Sequence, residues 1–302
     1  MISRRHLLGG ATVALPLAWT VSAYAGMAPA TSTASSAAPS VLAGRAIFDR
    51  LIAKATAEGW RQLPLGEMMG RFAQELLGTP YVAHTLELDD TVESCVVDFT
   101  GLDCVTFFEN VLNLARITRA GEPTAAAMID AVRSTRYRDG AQGDYTTRLH
   151  YTNDWIWDNA RRGHIKDLAP DLPGAEPFMQ KVGFMSAHPE AYRQLHAHPE
   201  WVPAIRRYEE TINARPKMFV PLARIAAIEP LLQTGDIIGV ATTAPGIDIA
   251  HTGLCFKDEQ GVAHFMDASS APSRMKVSLE GPIHQAIAWS PRNTGIVVAR
   301  PL

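Results

Sequence analysis

The chain has 302 residues, is 47% hydrophobic and 20% charged, and carries a formal net charge of -3. That is globular composition, enough for one large domain or two small ones, and the near-neutral charge gives nothing for nucleic acid to bind. Three cysteines, Cys95, Cys104 and Cys255, make no disulfide framework and leave at least one unpaired.

Residues 1–25 read as a signal peptide. Ser3-Arg4-Arg5-His6-Leu7-Leu8 sets a twin arginine before an apolar run from Leu7 to Val21, and Ala23-Tyr24-Ala25 is a small-x-small cleavage site. The arginine pair points to Tat export, with Sec as the alternative machinery. The run is shorter than the ~20 residues of a spanning helix. No second long apolar run follows, so no stable membrane insertion is expected after cleavage. The mature protein is expected in the periplasm of a bacterium, or exported. A free cysteine kept in such an oxidising place leans towards a chemical role.

Residues 26–40, rich in Ser, Thr, Ala and Pro, predict a linker. From Val41 to about Leu77 the apolar spacing is helical, and Gly78-Thr79-Pro80 breaks it. Ser94-Cys95-Val96-Val97-Asp98-Phe99 predicts a short strand. Asp103 then predicts a helix cap. Phe107, Phe108, Val111, Leu112 and Leu114 form an inward stripe, and Gly121-Glu122-Pro123 stops the helix. Cys104 falls in the first turn, where free N–H groups and the positive dipole end favour a thiolate. A small buried core cysteine fits that stretch as well, so a base elsewhere in the chain must decide.

Residues 124–230 are less regular. Asp154-Trp155-Ile156-Trp157-Asp158-Asn159 reads as an amphipathic helix with two core tryptophans. His188, His196 and His198 read as surface residues rather than metal ligands, since no third ligand is near. The β part follows at 235–241, 251–256, 262–267, 275–279 and 295–299, read as a meander. Helices followed by consecutive strands make an α+β fold with an antiparallel sheet, one domain over 41–302. If Phe256 faces Val262 across the turn Lys257-Asp258-Glu259-Gln260-Gly261, His251 lies opposite Asp267 on one face of the sheet. His264 then lies on the other face. Cysteine, histidine and carboxylate together follow the nucleophile, base and orienter logic of thiol hydrolases.

Gly78-Thr79-Pro80-Tyr81, Leu102-Asp103-Cys104, Gly235-Asp236-Ile237-Ile238, His251-Thr252-Gly253 and Phe265-Met266-Asp267-Ala268-Ser269 stand in the order used by NlpC/P60 cysteine peptidases and amidases. The fuller pattern resembles one branch, the DUF1460 family of N-acetylmuramoyl-L-alanine amidase-like proteins. Tyr81–Glu87, Arg148-Leu149-His150-Tyr151, Asp154-Trp155-Ile156 and Gly246–Gly253 carry that likeness, which covers nearly all of the mature chain. The resemblance implies a papain-like α+β fold, with Cys104 as nucleophile at a helix start, His251 as base and Asp267 as orienter. The third position is often histidine in the wider superfamily; aspartate does the same job by accepting the ring N–H. The resemblance places Tyr81 beside the nucleophile, holding substrate or oxyanion, and the Cys104 backbone N–H as another oxyanion donor. His84 stands where the branch is expected to have asparagine.

The expected activity is hydrolysis of an amide in peptidoglycan fragments, with no cofactor and no metal. Arg148, His150, Trp155, Asp248 and Ser269 are candidate substrate contacts, Arg148 for a carboxylate. The branch favours the lactyl–L-Ala bond between muramic acid and peptide. The alternative is the γ-D-Glu–diaminopimelate bond, with Asp248 reading an amine. Two other classes stand beside these. A zinc amidase would use His251, Asp267 and a third ligand, but no HExxH or similar set is present. An inactive wall-binding module would not need Cys104, His251 and Asp267 together.

Overall fold

The computed structural model describes residues 39–302, so the expected signal peptide and most of the linker lie outside the described residues. A short parallel pair comes first: β1 (Ser40–Ala43) lies beside β2 (Cys95–Asp98), Val41 facing Val96. The sequence pattern extends the linker to residue 40 and the helix back to Val41; both are corrected, because pairing with β2 sets the state of these four residues. Helices α1 (Arg45–Ala57) and α2 (Leu65–Glu75) follow, burying Phe48, Leu51, Met68, Met69 and Phe72.

Helix α3 (Cys104–Ala120) begins where Asp103 caps it. The Asp103 carboxylate accepts the N–H groups of Val105 and Thr106 at 3.0 and 2.7 Å, and Thr106 Oγ1 accepts the Asp103 N–H at 2.9 Å. This is a capping box, two free donors satisfied reciprocally. Gly121, in the left-handed region at φ 83°, ends the helix. The sequence stripe predicts one buried face, yet Glu109, Asn110 and Asn113 are buried as well. Helix α4 (Ala125–Arg136) and helix α5 (Thr152–Arg161) supply the reason. Glu109 accepts from Arg136 Nε at 2.8 Å and from Trp155 Nε1 at 3.0 Å. Asn113 donates to Thr135 Oγ1 at 2.8 Å, and Asn110 to the Asp98 carbonyl at 2.8 Å. Arg136 also donates to the Val96 carbonyl at 2.5 Å, so one polar cluster joins α3, α4, α5 and β2. Glu109→Ala leaves Arg136 buried without its counter-charge, which should cost about 3–5 kcal/mol. Equilibrium urea unfolding measures this; an unchanged midpoint would show that the cluster contributes nothing to stability.

Strands β3 (Ile165–Asp167), β4 (Glu176–Pro177), β5 (Met218–Pro221), β6 (Ile237–Thr242), β7 (Ile249–Lys257), β8 (Ala263–Ser269), β9 (Lys276–Pro282) and β10 (Asn293–Pro301) form an eight-stranded antiparallel sheet. Its order is β4-β5-β10-β6-β7-β8-β9, with β3 also on β10. The expected meander holds only from β6 to β9. β10 returns across the sheet to pair with β6, β5 and β3. Side chains alternate between two cores as a strand period of two requires. Ile237, Leu254, Met266, Val277 and Val297 face α2 and α3, while Ile238, Val240, Cys255, Phe265 and Val298 face Ile225, Ile228 and Ile283. No helix of the described residues is long and apolar enough to cross a membrane.

The β7–β8 hairpin differs from the expected register by two residues. Phe256 faces His264, not Val262, and Leu254 faces Met266. The Asp258 N–H reaches the Val262 carbonyl at 3.1 Å, so the loop proper is only Glu259-Gln260-Gly261, with Gly261 at φ 81°. That is a three-residue loop with glycine in its left-handed position. A slip of two keeps every side chain on its expected face, whereas a slip of one would have reversed them all.

Candidate active site

His251 and Asp267 are diagonal neighbours rather than directly opposite, on one face of the β7–β8 pair. Their paired ladder runs from Leu254↔Met266 to Lys257↔Ala263, and both residues lie beyond it, at the open end of the hairpin. There Asp267 Oδ2 meets His251 Nε2 at 2.6 Å. The Asp267 side chain is 3% exposed and that of His251 13%. Gly253 allows the strands to lie this close: a Cβ there would come within 2.6 Å of the Met266 carbonyl and 2.7 Å of the Phe265 ring. His264, on the opposite face, is bound to Asp258 Oδ2 at 2.9 Å and the Glu280 carbonyl at 2.8 Å.

Cys104 reaches this pair from the helix side. Thr252 donates to the Cys104 carbonyl at 2.9 Å, fixing the start of α3 against β7. Nε2 of His251 is taken by Asp267, so Nδ1 is the nitrogen left for the thiol. Burial alone would push the His251 pKa down. Hydrogen bonding to Asp267 and Cys104 and the coulombic pull of both outweigh burial and push it up to about 10. At neutral pH the ring is therefore protonated between two acidic groups. Cys104 is partly exposed, whereas Cys95 and Cys255 are buried. Burial raises the thiol pKa of both, which leaves them unreactive.

Tyr81 stands beside the thiol. It bridges to Leu102 in parallel fashion, and burial followed by the Cys104 and Asp103 charges raises its phenol pKa, while Ser270 hydrogen-bonds it. His84, with φ 62°, occupies the left-handed backbone region, which asparagine enters readily and which explains the residue expected there.

Of the five candidate contacts, Ser269 alone lines the same cavity as His251 and Asp267; its volume is ≈ 420 Å³. The other four do not meet it. Arg148 is buried and held by Glu87 at 2.8 Å and Glu93 at 3.5 Å, its guanidinium over the Tyr145 ring, so its charge is already answered. His150 packs tilted against the Tyr145 ring and bonds the Tyr145 carbonyl at 2.8 Å. Burial and the neighbouring Arg148 hold it well below the usual histidine range. Trp155 is corrected to a core residue: it is 2% exposed and its N–H is spent on Glu109. Trp157, expected in the core, is exposed under the guanidinium groups of Arg215 and Arg161. Asp248 is buried and accepts from the Asn153 backbone and side chain at 3.1 and 2.9 Å, which ties the β6–β7 loop to α5.

The N-acetylmuramoyl-L-alanine amidase-like (AmiA-like) family model matches residues 71–291, which includes Tyr81, Cys104, His251 and Asp267. The chain belongs to this family. A crystal structure of an N-acetylmuramoyl-L-alanine amidase from Bacteroides uniformis ATCC 8492 is 33% identical, covering 79% of this chain and 99% of that one with a TM-score of 0.72. A Bacteroides fragilis structure carrying a provisional xylanase name is 31% identical over 76% of this chain and 98% of its own, TM-score 0.67. The Legionella pneumophila protein LPG0564, of the DUF1460 family, shares the fold at 18% identity, 85% and 94% coverage and a TM-score of 0.62. No curated protein gives a significant match.

Beyond the family motifs, the site contains two residues that sequence reasoning missed. Trp289 is 54% exposed and stands edge-on to the His251 ring, 5.7 Å between centres at 87°. Arg274 lies across the same cavity, paired with Glu280 and 3.5 Å from Ser269 Oγ. Both sit on irregular segments, where periodicity carries no signal; the only clue was a large aromatic in a polar loop. Among the described residues no group of three or more His, Cys, Asp or Glu is placed to hold a metal.

Proposed function

We propose that this amidase-family protein is a cysteine hydrolase of NlpC/P60, papain-like type, cutting the lactyl–L-Ala amide of peptidoglycan fragments. The observation that carries the reading is the 2.6 Å His251–Asp267 bond facing a cysteine at a capped helix start. The Cys104 thiolate forms the C–S bond, and charge moves to the carbonyl oxygen, which the Cys104 N–H and Tyr81 hydroxyl stabilise. The C–N bond then breaks, and the departing nitrogen takes the imidazolium proton. Water attacks the thioester, giving one proton to His251 and freeing the thiolate. The product acid keeps the other proton and loses it to solvent. Asp267 positions His251 and supports its charge throughout.

Asp248 would have read the free amine in the endopeptidase alternative. Its carboxylate is buried and already bonded, so that support falls away. Glycoside hydrolysis, as the Bacteroides fragilis name suggests for that protein, takes a facing pair of carboxylates. Here the two carboxylates of the cavity, Asp267 and Glu280, are each already paired, with His251 and Arg274. The proposed setting is the periplasm, reached through the Tat or Sec machinery by the N-terminal segment, with domain 41–302 as the active unit.

Mass spectrometry of products from a defined sugar-bearing muropeptide tests the reading. The expected products are free sugar and an intact peptide beginning with L-Ala. Release of L-Ala-D-Glu from a sugar-free stem, with the sugar-bearing substrate uncut, would replace it with the endopeptidase.

A further inference from the structure

One cavity is lined by His251 and another by Val105, next in sequence to Cys104. The first, of ≈ 420 Å³, runs along His251, Asp267, Ser269, Arg274, Glu280 and Trp289. The second, of ≈ 220 Å³, also includes His84, Tyr145 and Arg148. Proton transfer decides which half of the substrate each receives. The departing nitrogen must lie within hydrogen-bond reach of the ring that protonates it. The amine half is therefore on the His251 side, and the acyl half lies along the start of α3.

We infer that the His251-side cavity is the leaving-group site and that Arg274 reads a carboxylate on the departing peptide there. This rests on the roles of Cys104 and His251 proposed above. Arg136 and Arg148, at the other cavity, are locked in buried pairs with Glu109, Glu87 and Glu93. Arg274 is held differently. Its side chain is 41% exposed and its counter-charge is the single carboxylate of Glu280. Glu280 is the more buried partner, its side chain 13% exposed, so the guanidinium stays anchored on it while its exposed edge is left to take an incoming carboxylate. Ser269 Oγ stands close by and offers a further donor. Trp289 forms the apolar wall. Standing perpendicular to the imidazole, it offers an apolar face to an aliphatic side chain of the departing peptide. The ligand class is thus a short peptide with a free amino terminus and an acidic residue near it.

Titration calorimetry on the Cys104→Ala protein tests this with two probes, L-Ala-D-Glu and its diamide. The acid should bind about tenfold or more tightly than the diamide, the scale of a charge-assisted pair. Arg274→Gln in that background should remove the preference. Glu280→Gln, which removes the negative charge beside Arg274, should tighten binding of the acid a few-fold and leave the diamide unchanged; an Arg274 with a merely structural role would not respond in that direction. Equal affinity for the two probes, a preference that survives Arg274→Gln, or weaker acid binding after Glu280→Gln would overturn the assignment. Binding is read without the thiol, so the two readings fail separately. Acid preference with no muropeptide cleavage by the unaltered protein would keep the cavity assignment and remove the hydrolase. Cleavage with no preference would do the reverse.

Discussion

Cys104→Ala should lower turnover of a muropeptide by roughly 10⁴-fold or more, because removing the proposed nucleophile leaves only binding and the oxyanion donors. The fold should survive, since the thiol is partly exposed and the cap of α3 belongs to Asp103 and Thr106. Thermal unfolding of the variant should match the unaltered protein. Cys255→Ala, in the far core of the sheet, should leave the rate near normal. If Cys104→Ala kept its rate and Cys255→Ala lost it, the nucleophile would be misassigned.

The second large effect belongs to Asp267→Ala. Loss of the positioning carboxylate lowers turnover by about 10⁴-fold in comparable triads, and His251→Ala should cost more. The pH profile separates positioning from simple damage. His251 in the folded protein has its pKa pushed up to about 10. The imidazolium proposed to protonate the leaving amine persists to that pH, so the alkaline limb of activity should lie near it. Without Asp267, burial still pushes the pKa down and one opposing contribution is gone. The alkaline limb should then move to lower pH. Stability follows the same sign. A raised histidine pKa contributes stability that is complete below its unfolded value and fades as pH rises through about 10. In Asp267→Ala that contribution should be smaller and its alkaline loss complete at lower pH. A variant with low turnover and an unmoved alkaline limb would show that Asp267 does not act through the imidazole.

The sequence revealed those parts of the site that depend on local rules. Asp103 before an apolar repeat with Gly121 behind it is a helix with both ends marked, and it placed Cys104 in the first turn. Strand period put His251 and Asp267 on one face, and that survived an error in the turn because the slip was even. What stayed hidden depends on distant pairing. β1 exists because β2 lies beside it. Trp155 looked like a candidate contact because nothing local reveals that Glu109, on another helix, accepts its N–H. Arg148 looked free for the same reason: Glu87 and Glu93 are far from it in sequence. Trp289 and Arg274 become visible only when irregular segments are folded around His251.

The place of β10 has a consequence for biogenesis. This strand is the last in chain order, yet it pairs with β6, β5 and β3 in the middle of the sheet. During synthesis β6 waits with one edge open until the ribosome has passed residue 301. Cys104 and His251 are already made by then, but the sheet that holds them against each other is incomplete. Such an open edge is a template for pairing with another chain, and long-range strand pairing is slow. Emerging chains should therefore depend on holding factors late in translation, and a chain stopped before Asn293 should aggregate rather than yield a weakened hydrolase.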